Sequence, residues 1–332
     1  MTQRRRKAGW ACGLVVAALV PLVGAGCGED GEGAEGGGDS GVAKVRVAYV
    51  PIGTVLPAFV AKDTGIFERN RLEVTLTPID NVTTITGALG RQFDIGSSTP
   101  PDTIKAVGQG LPVGAVTGAT VVTPDNTVGE LVVAKDSPIR ELADLRGKRV
   151  ATPSIGASMH VSLLNWLSKE GVEIDSLTAV ETPFPTMADQ LKAGRVDAVE
   201  AVQPFLGLLL EAGNRSLGAP ILSIGEPPVL SVVWIAQHNW ATQNRSTLER
   251  WNRSLVEAQG VIESEPERAR AILEKYTQLP PAIAKSVQLP EYAAQLSPDE
   301  LKAGLAPWVE ALNNAGQFDG EVSADRLVAG GS

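Results

Sequence analysis

Leu191-Lys192-Ala193-Gly194-Arg195-Val196-Asp197-Ala198-Val199 resembles the earlier stretch Ala88-Leu89-Gly90-Arg91-Gln92-Phe93-Asp94-Ile95-Gly96, which carries Gln92 as one extra residue after its Arg. Each reads as a helix end, a Gly that stops the helix, an Arg that complements the helix dipole, then an apolar residue, an Asp and a short buried strand. The same local problem is solved twice, which fits a chain built from two similar lobes.

Working outward from this pair, strand-like and helical stretches alternate. Val45–Val50, Leu72–Leu76, Phe93–Gly96, Val113–Val116, Leu131–Ala134, Arg149–Ala151, Leu177–Val180, Val196–Ala201 and Val229–Ala236 read as strands. Between them Ala58–Lys62, Val82–Leu89, Asp102–Gln109, Ile139–Leu145, His160–Lys169 and Thr186–Lys192 read as helices. Beyond Trp240 the pattern is mostly helical: Thr247–Ser264, Pro266–Tyr276, Pro281–Val287 and Pro298–Asn314. Alternation of this kind predicts an α/β fold with parallel strands.

The first 41 residues carry an address. Arg4-Arg5-Arg6-Lys7 precedes an apolar run from Ala8 to Val23, then Gly24-Ala25-Gly26-Cys27 and a Gly-rich acidic tail to Gly41. A positive n-region, a short apolar core and small residues before a cleavage point are the parts of a secretory signal. Cys27 after the small residues points to a lipoprotein cut before it and lipidated there, although Gly24 stands where such signals carry a large aliphatic residue. Cleavage after Gly26 without lipidation, or an uncleaved anchor, are the other readings. The tail cannot bury apolar surface and would act as a leash reaching roughly 20 Å.

Residues 42–332 are numerous enough for two lobes. The formal charge of −9 becomes −13 once Arg4, Arg5, Arg6 and Lys7 are removed, which argues against a nucleic-acid partner. Beyond Cys27 there is no Cys, hence no disulfide, thiolate nucleophile or thiolate metal site. The two His are far apart and no HExxH occurs, so no metal site is expected. Gly156-Ala157-Ser158-Met159-His160 fails the nucleophile elbow at its last position, and no phosphate loop or dinucleotide fingerprint is present. No catalytic residue and no cofactor are expected.

Loops at the carboxyl ends of strands that open helices aim backbone N–H groups at a ligand. Three qualify: Pro51-Ile52-Gly53-Thr54, Ser97-Ser98-Thr99 before a Pro-Pro helix start, and Ser154–Ser158, with Ser158 or Gly156 as helix cap. Each could instead be a plain N-cap. Thr120 and His160 are further candidates, whereas His238 reads as surface. Glu200 interrupts the apolar Val199-Glu200-Ala201-Val202 strand, where a charge is costly unless paired. It is either half of a structural ion pair or a ligand group for an amine or N–H-rich ring, and in the second case it would repel nitrate.

Several segments resemble the solute-binding proteins of ABC importers for nitrate, aliphatic sulfonates, taurine and thiamine-precursor-like compounds. They are Pro57–Glu68 (PAFVAKDTGIFE), Phe93–Ser98, Leu131–Ile139 (LVVAKDSPI), Asp144–Ala151 (DLRGKRVA), Leu191–Ala198 and Gln203-Pro204-Phe205. The family carries an acidic residue where this chain has Gln203 and a Trp where it has Val202. The resemblance implies a periplasmic-binding-protein-like fold of type II: two α/β lobes joined by two crossovers, near Asp136 and Ser231, with a cleft between them that closes on ligand. The expected organisation is a signal peptide over 1–26, a lipidated Cys and linker over 27–41, lobe 1 from 42–136 plus 232–332, and lobe 2 from 137–231.

The function implied is capture of a small polar organic solute, sulfonate- or taurine-like or pyrimidine-like, and delivery to ABC permease subunits. The protein would be a monomer and no enzyme, lipid-anchored at the outer face of the cytoplasmic membrane, its cleft lined by the residues above. A ligand-sensing receptor of the same fold and an exported enzyme are the alternatives.

Overall fold

The computed structural model describes residues 41–79, 82–127, 129–277 and 279–330. The signal segment, Cys27 and nearly all of the leash lie outside the described residues.

Among the described residues eleven strands fall into two sheets. The first contains β1 (Ala43–Tyr49), β2 (Leu72–Pro78), β3 (Ile95–Ser98) and β4 (Val113–Val122). The second contains β5 (Gly129–Val133), β6 (Arg149–Thr152), β7 (Thr178–Glu181), β8 (Ala198–Val202) and β9 (Arg215–Gly218). The chain then returns to the first sheet with β10 (Val229–Gln237) and β11 (Glu291–Tyr292). The orders are β2-β1-β3-β10-β4-β11 and β7-β6-β8-β5-β9.

Among the described residues, parallel pairing is confined to β1 with β2 and β3 in one sheet and to β6 with β7 and β8 in the other. β10 and β5 run antiparallel to their neighbours, so the sheets are mixed rather than all parallel. Helix–strand alternation sets the local period but cannot say from which direction a returning strand enters.

That return also moves the crossovers. β5 already belongs to the second sheet, so the first crossing lies between Val122 and Gly129, not near Asp136. β10 starts at Val229, so the second lies between Gly218 and Val229, ahead of Ser231. A further correction concerns Ile139–Leu145. Only Leu142–Leu145 is helical, as one 3-10 turn held by a reciprocal Glu141/Asp144 capping box that sets its start. The helix Phe205–Glu211, β9 and β11 carried too little pattern to be read from sequence.

The echo that opened the sequence is a structural duplication. Ala43 faces Leu72 and Arg149 faces Thr178, each 29 positions on; Ala48 faces Gly96 and Ala151 faces Val199, each 48 on. The two Asp residues of the echo do the same work. Arg46 donates its backbone N–H and Nε–H to Asp94 Oδ2 (2.8 and 3.1 Å) and Nη2–H to Oδ1 (2.7 Å). Arg149 donates its backbone N–H and Nε–H to Asp197 Oδ2 (2.8 and 3.2 Å) and Nη2–H to Oδ1 (3.2 Å). Both Arg also reach a carbonyl of the preceding turn, Arg91 or Gly194. One fork fixes β1 to the start of β3, the other β6 to the start of β8. Because the Asp197 pair is partly solvated, Asp197→Ala is expected to cost only about 1 kcal/mol in a denaturant melt.

One apolar cluster backs the first sheet, with Phe67 stacked on Trp251 at 5.3 Å and Trp234 edge-on to Trp251 at 5.3 Å. A second is shared by both sheets: Ile104 and Val107 from the first lobe, Val150, Val161 and Leu164 from the second, and Leu305 and Trp308 of the Pro298–Asn314 helix. Trp308 Nε1 donates to Leu230 O at 2.8 Å, and Asn314 Nδ2 donates to Asn165 Oδ1 at 3.0 Å. The C-terminal helix therefore ties β10 to the helix Ser158–Lys169 of the second lobe.

Candidate functional site

β1 ends at Tyr49 and the chain turns through Val50-Pro51-Ile52-Gly53-Thr54 into the helix Leu56–Asp63. Pro51, Gly53 and Thr54 are half-buried. Gly53 O accepts from the Tyr292 hydroxyl at 3.1 Å, and the buried Oγ1 of Thr54 has no hydrogen-bond partner. Ser97, at the end of β3, is buried and accepts from the Val50 N–H at 3.3 Å, pinning the root of this loop.

Two expected ligand residues are corrected here. Ser98 is fully buried and internally satisfied: it donates to Thr99 O at 3.3 Å and accepts from Thr103 at 3.1 Å. Thr120 is fully buried and shares a 2.8 Å hydrogen bond with Ser231, joining β4 to β10. Each hydroxyl's proton is committed to a protein acceptor, so neither can donate to a solute without losing that bond. Thr99 is the N-cap of the helix Pro100–Gly108, accepting from Asp102 N–H at 3.3 Å and donating to Asp102 Oδ2 at 2.6 Å, which is the plain capping role.

The second lobe presents Pro153–Ala157 between β6 and the helix Ser158–Lys169. Its cap is Ala157, which has no side-chain bond to offer, and neither Ser158 nor Gly156 takes that role. Ser158 is the first helical residue, and its buried Oγ has no partner. Ser154 O accepts the Ala157 N–H at 3.3 Å, while Gly156 N–H donates to His160 Nδ1 at 3.0 Å. His160 is buried and its pKa is pushed down to about 4, by burial first and the nearby Lys105 charge second. The neutral ring therefore supplies a lone pair that holds the loop; it positions the loop from behind.

Lys105 was not singled out by the sequence. It rises from the first-lobe helix Pro100–Gly108 and donates to Gly156 O at 2.5 Å, so the two lobes meet at this loop. A lone Lys among the buried residues Thr103, Ile104, Ala106 and Val107 was the available signal.

Glu200, in mid-β8, has no exposed surface, and neither carboxyl oxygen has a hydrogen-bond partner. Burial pushes its pKa up to about 8; Thr152 beside it pulls the other way, yet no hydrogen bond of normal geometry joins them, and Thr152 Oγ1 is also unpartnered. The structural ion pair weighed for Glu200 is not formed among the described residues.

An open groove of about 920 Å³ lies elsewhere, between the helices Ser158–Lys169 and Pro298–Asn314 and the segment 217–226. It is lined by none of the candidate residues, and its Lys169 already donates to Ser223 O at 2.7 Å.

Residues 53–269 match the family model described as NMT1/THI5 like. A Haemophilus influenzae protein provisionally named for thiamine biosynthesis is 27% identical over 213 residues, covering 63% of this chain and 65% of that protein. An Escherichia coli (strain K12) protein provisionally named as aliphatic sulfonates-binding is 30% identical over 201 residues, 58% of each. The chain thus spans less than two thirds of the length of these curated relatives. Among solved structures, the periplasmic aliphatic sulphonate binding protein SsuA of Escherichia coli superposes with a TM-score of 0.71 at 21% identity, covering 86% of this chain and 91% of that one. The likeness establishes a periplasmic-binding-protein fold for the two mixed sheets.

Proposed function

The chain belongs to the NMT1/THI5-like family, and from that premise we propose that it is an extracytoplasmic solute-binding protein that captures a small polar organic solute between its two lobes and delivers it to an ABC importer. Supporting this reading are the sulfonate-binding name of one relative, the fold shared with a sulphonate-binding protein and the two-lobed topology. The observation that carries it is the meeting of strand-end elements from both lobes, where Lys105 of the first reaches Gly156 O of the second beside the unpartnered Ser158 hydroxyl. Loops of this kind hold polar groups through backbone N–H and helix-start partial charge, and hinge motion brings them together around the guest.

The residues proposed to line the cleft are Pro51, Gly53, Thr54, Ser97, Ser154, Gly156, Ala157, Ser158 and Glu200, with His160 and Lys105 positioning the second-lobe loop. The residue range 1–41 is proposed to export and tether the body through a lipid on Cys27, with the permease subunits as membrane partners and a monomeric working state. The two lobes divide at the crossings between β4 and β5 and between β9 and β10.

A thermal-shift screen of sulfonates, taurine, nitrate, aromatic acids and pyrimidines tests the reading. A ligand at 100 times its dissociation constant adds about 2.7 kcal/mol of stability, and a chain that no compound stabilises would argue against it. With a binder in hand, Ser158→Ala is expected to weaken affinity by about 1–3 kcal/mol, read by calorimetry; unchanged affinity would remove Ser158 from the cleft. Conversion of the bound compound to a product would favour the enzyme reading instead.

A further inference from the structure

The duplication of the two lobes locates Glu200 against a counterpart whose environment is known. With Arg46 laid on Arg149 and Asp94 on Asp197, the common register puts Tyr49 on Thr152, Val50 on Pro153, Gly53 on Gly156 and Ser97 on Glu200. In the first lobe the side chain at this place turns toward the root of the loop: Ser97 Oγ accepts the Val50 N–H at 3.3 Å. In the second lobe the matching residue is Pro153, which has no N–H to give. Glu200 therefore sits at the root of the Pro153–Ala157 loop, without the backbone donor that its counterpart uses.

The neighbours do not replace that donor. Leu131 lies opposite Glu200 on β5, and Thr152, at the matching register on β6, has an unpartnered hydroxyl of its own. The sheet face that carries Val150 and Ala198 packs against Val161 and Leu164 of the helix Ser158–Lys169. Glu200 and Thr152 share that face by strand alternation, at the end where the helix begins with the unpartnered Ser158. Lys105, whose charge acts on His160, forms no ion pair with Glu200. A buried carboxyl and two hydroxyls, with no N–H donor or cation paired to them among the described residues, make a polar end with more lone pairs than protons. Native structures leave buried acceptors unpaired only rarely.

We infer that Glu200, with Thr152 and Ser158, forms the end of the solute site that receives a nitrogen-borne, proton-rich group, an ammonium, amidinium or amino-heterocycle, and that the solute is not a simple anion. This deepens the solute-binding reading and rests on it. An ammonium offers three donors and an amidinium four, enough to satisfy both carboxyl oxygens and a hydroxyl at once, whereas a bare sulfonate or nitrate brings only further lone pairs. The start of the helix beside Ser158 still favours negative charge, so a zwitterion with its nitrogen toward Glu200 fits the same end.

The test compares three probes on the full-length protein by calorimetry: taurine, propane-1-sulfonate (taurine with a methyl in place of the ammonium) and 4-aminopyrimidine. Taurine or 4-aminopyrimidine is expected to bind at least tenfold more tightly than propane-1-sulfonate at pH 9, and Glu200→Gln, which keeps the shape but cannot ionise, is expected to cost tenfold or more for that probe. Thr152→Val should weaken the same probe several-fold, and it serves if Glu200→Gln fails to fold. Equal binding of propane-1-sulfonate, indifferent to Glu200→Gln and Thr152→Val, would overturn the subsite and leave solute binding standing. Silence of all three probes would overturn the nitrogen-donor class; solute binding as such would still be judged by the wider screen.

Discussion

Glu200→Met is expected to raise the melting temperature at pH 8 by several degrees, and by much less at pH 5. The cause is the burial of a carboxyl with no partner on either oxygen, which pushes its pKa up to about 8 from its ordinary value of 4.5. The folded state thus holds a proton that the unfolded chain has already released between those two values. Stability is then greatest below the unfolded pKa, declines as pH rises toward 8, and reaches its full penalty above it. At about 1.36 kcal/mol per pH unit the penalty has a ceiling near 4–5 kcal/mol, and relaxation of the site would reduce it. Met has similar length, no charge and enough flexibility to fill the space.

His160 works in the opposite direction. Its pKa is depressed to about 4, so its share of stability is present above the unfolded value near 6.5 and is lost as pH falls toward 4. The wild-type profile mixes the two groups; the difference between wild type and Glu200→Met isolates Glu200. A variant that melts lower than wild type at pH 8 would mean that Glu200 has a stabilising partner in the folded protein, and would remove it from the solute site.

This contrast shows what could be read in the sequence. The lobes were legible because Gly, Arg, apolar and Asp recur in order, and the structure gives each Asp an Arg partner of its own at the same spacing. That Asp94 pairs with Arg46, and Asp197 with Arg149, was not legible, since nothing local links residues 48 apart. Strand direction and the crossovers were misplaced for a related reason: β5 and β10 are apolar strands whose sheet is chosen by tertiary pairing. At the site, the helix starts were legible from Ser, Thr and Pro, but a hydroxyl can be sealed or left free by neighbours that the sequence does not place. Ser98 and Thr120 are sealed, whereas Ser158 and Thr54 are left without partners. Glu200 stood out because a charge inside an apolar strand demands a reason, and Lys105 did not because a Lys near a helix C-terminus ordinarily needs none.

Gly156→Val should disable the second-lobe loop and reduce solute affinity more than a hundredfold, while Gly147→Val should leave affinity almost untouched. Both glycines have left-handed backbones, at φ +81° and +72°, so a β-branched residue imposes at each a strain of about 1–2 kcal/mol. They differ in what surrounds them. Nothing lies within 4 Å of a Cβ placed on Gly147, but one on Gly156 would stand 3.0 Å from Lys105 Nζ and 3.1 Å from Gln317 Oε1. Lys105 would have to withdraw from Gly156 O, and the peptide whose N–H is held by His160 Nδ1 would tilt with it. A hydrogen bond to a charged group is worth about 1.5–3 kcal/mol and a neutral one about 1 kcal/mol, so the lost Lys105 and His160 bonds together come to roughly 3 kcal/mol, enough for a hundredfold effect. Calorimetry on both variants, with circular dichroism to show that each is folded, separates the outcomes. Equal losses would assign the effect to backbone strain alone, and full affinity in Gly156→Val would place the solute away from this loop.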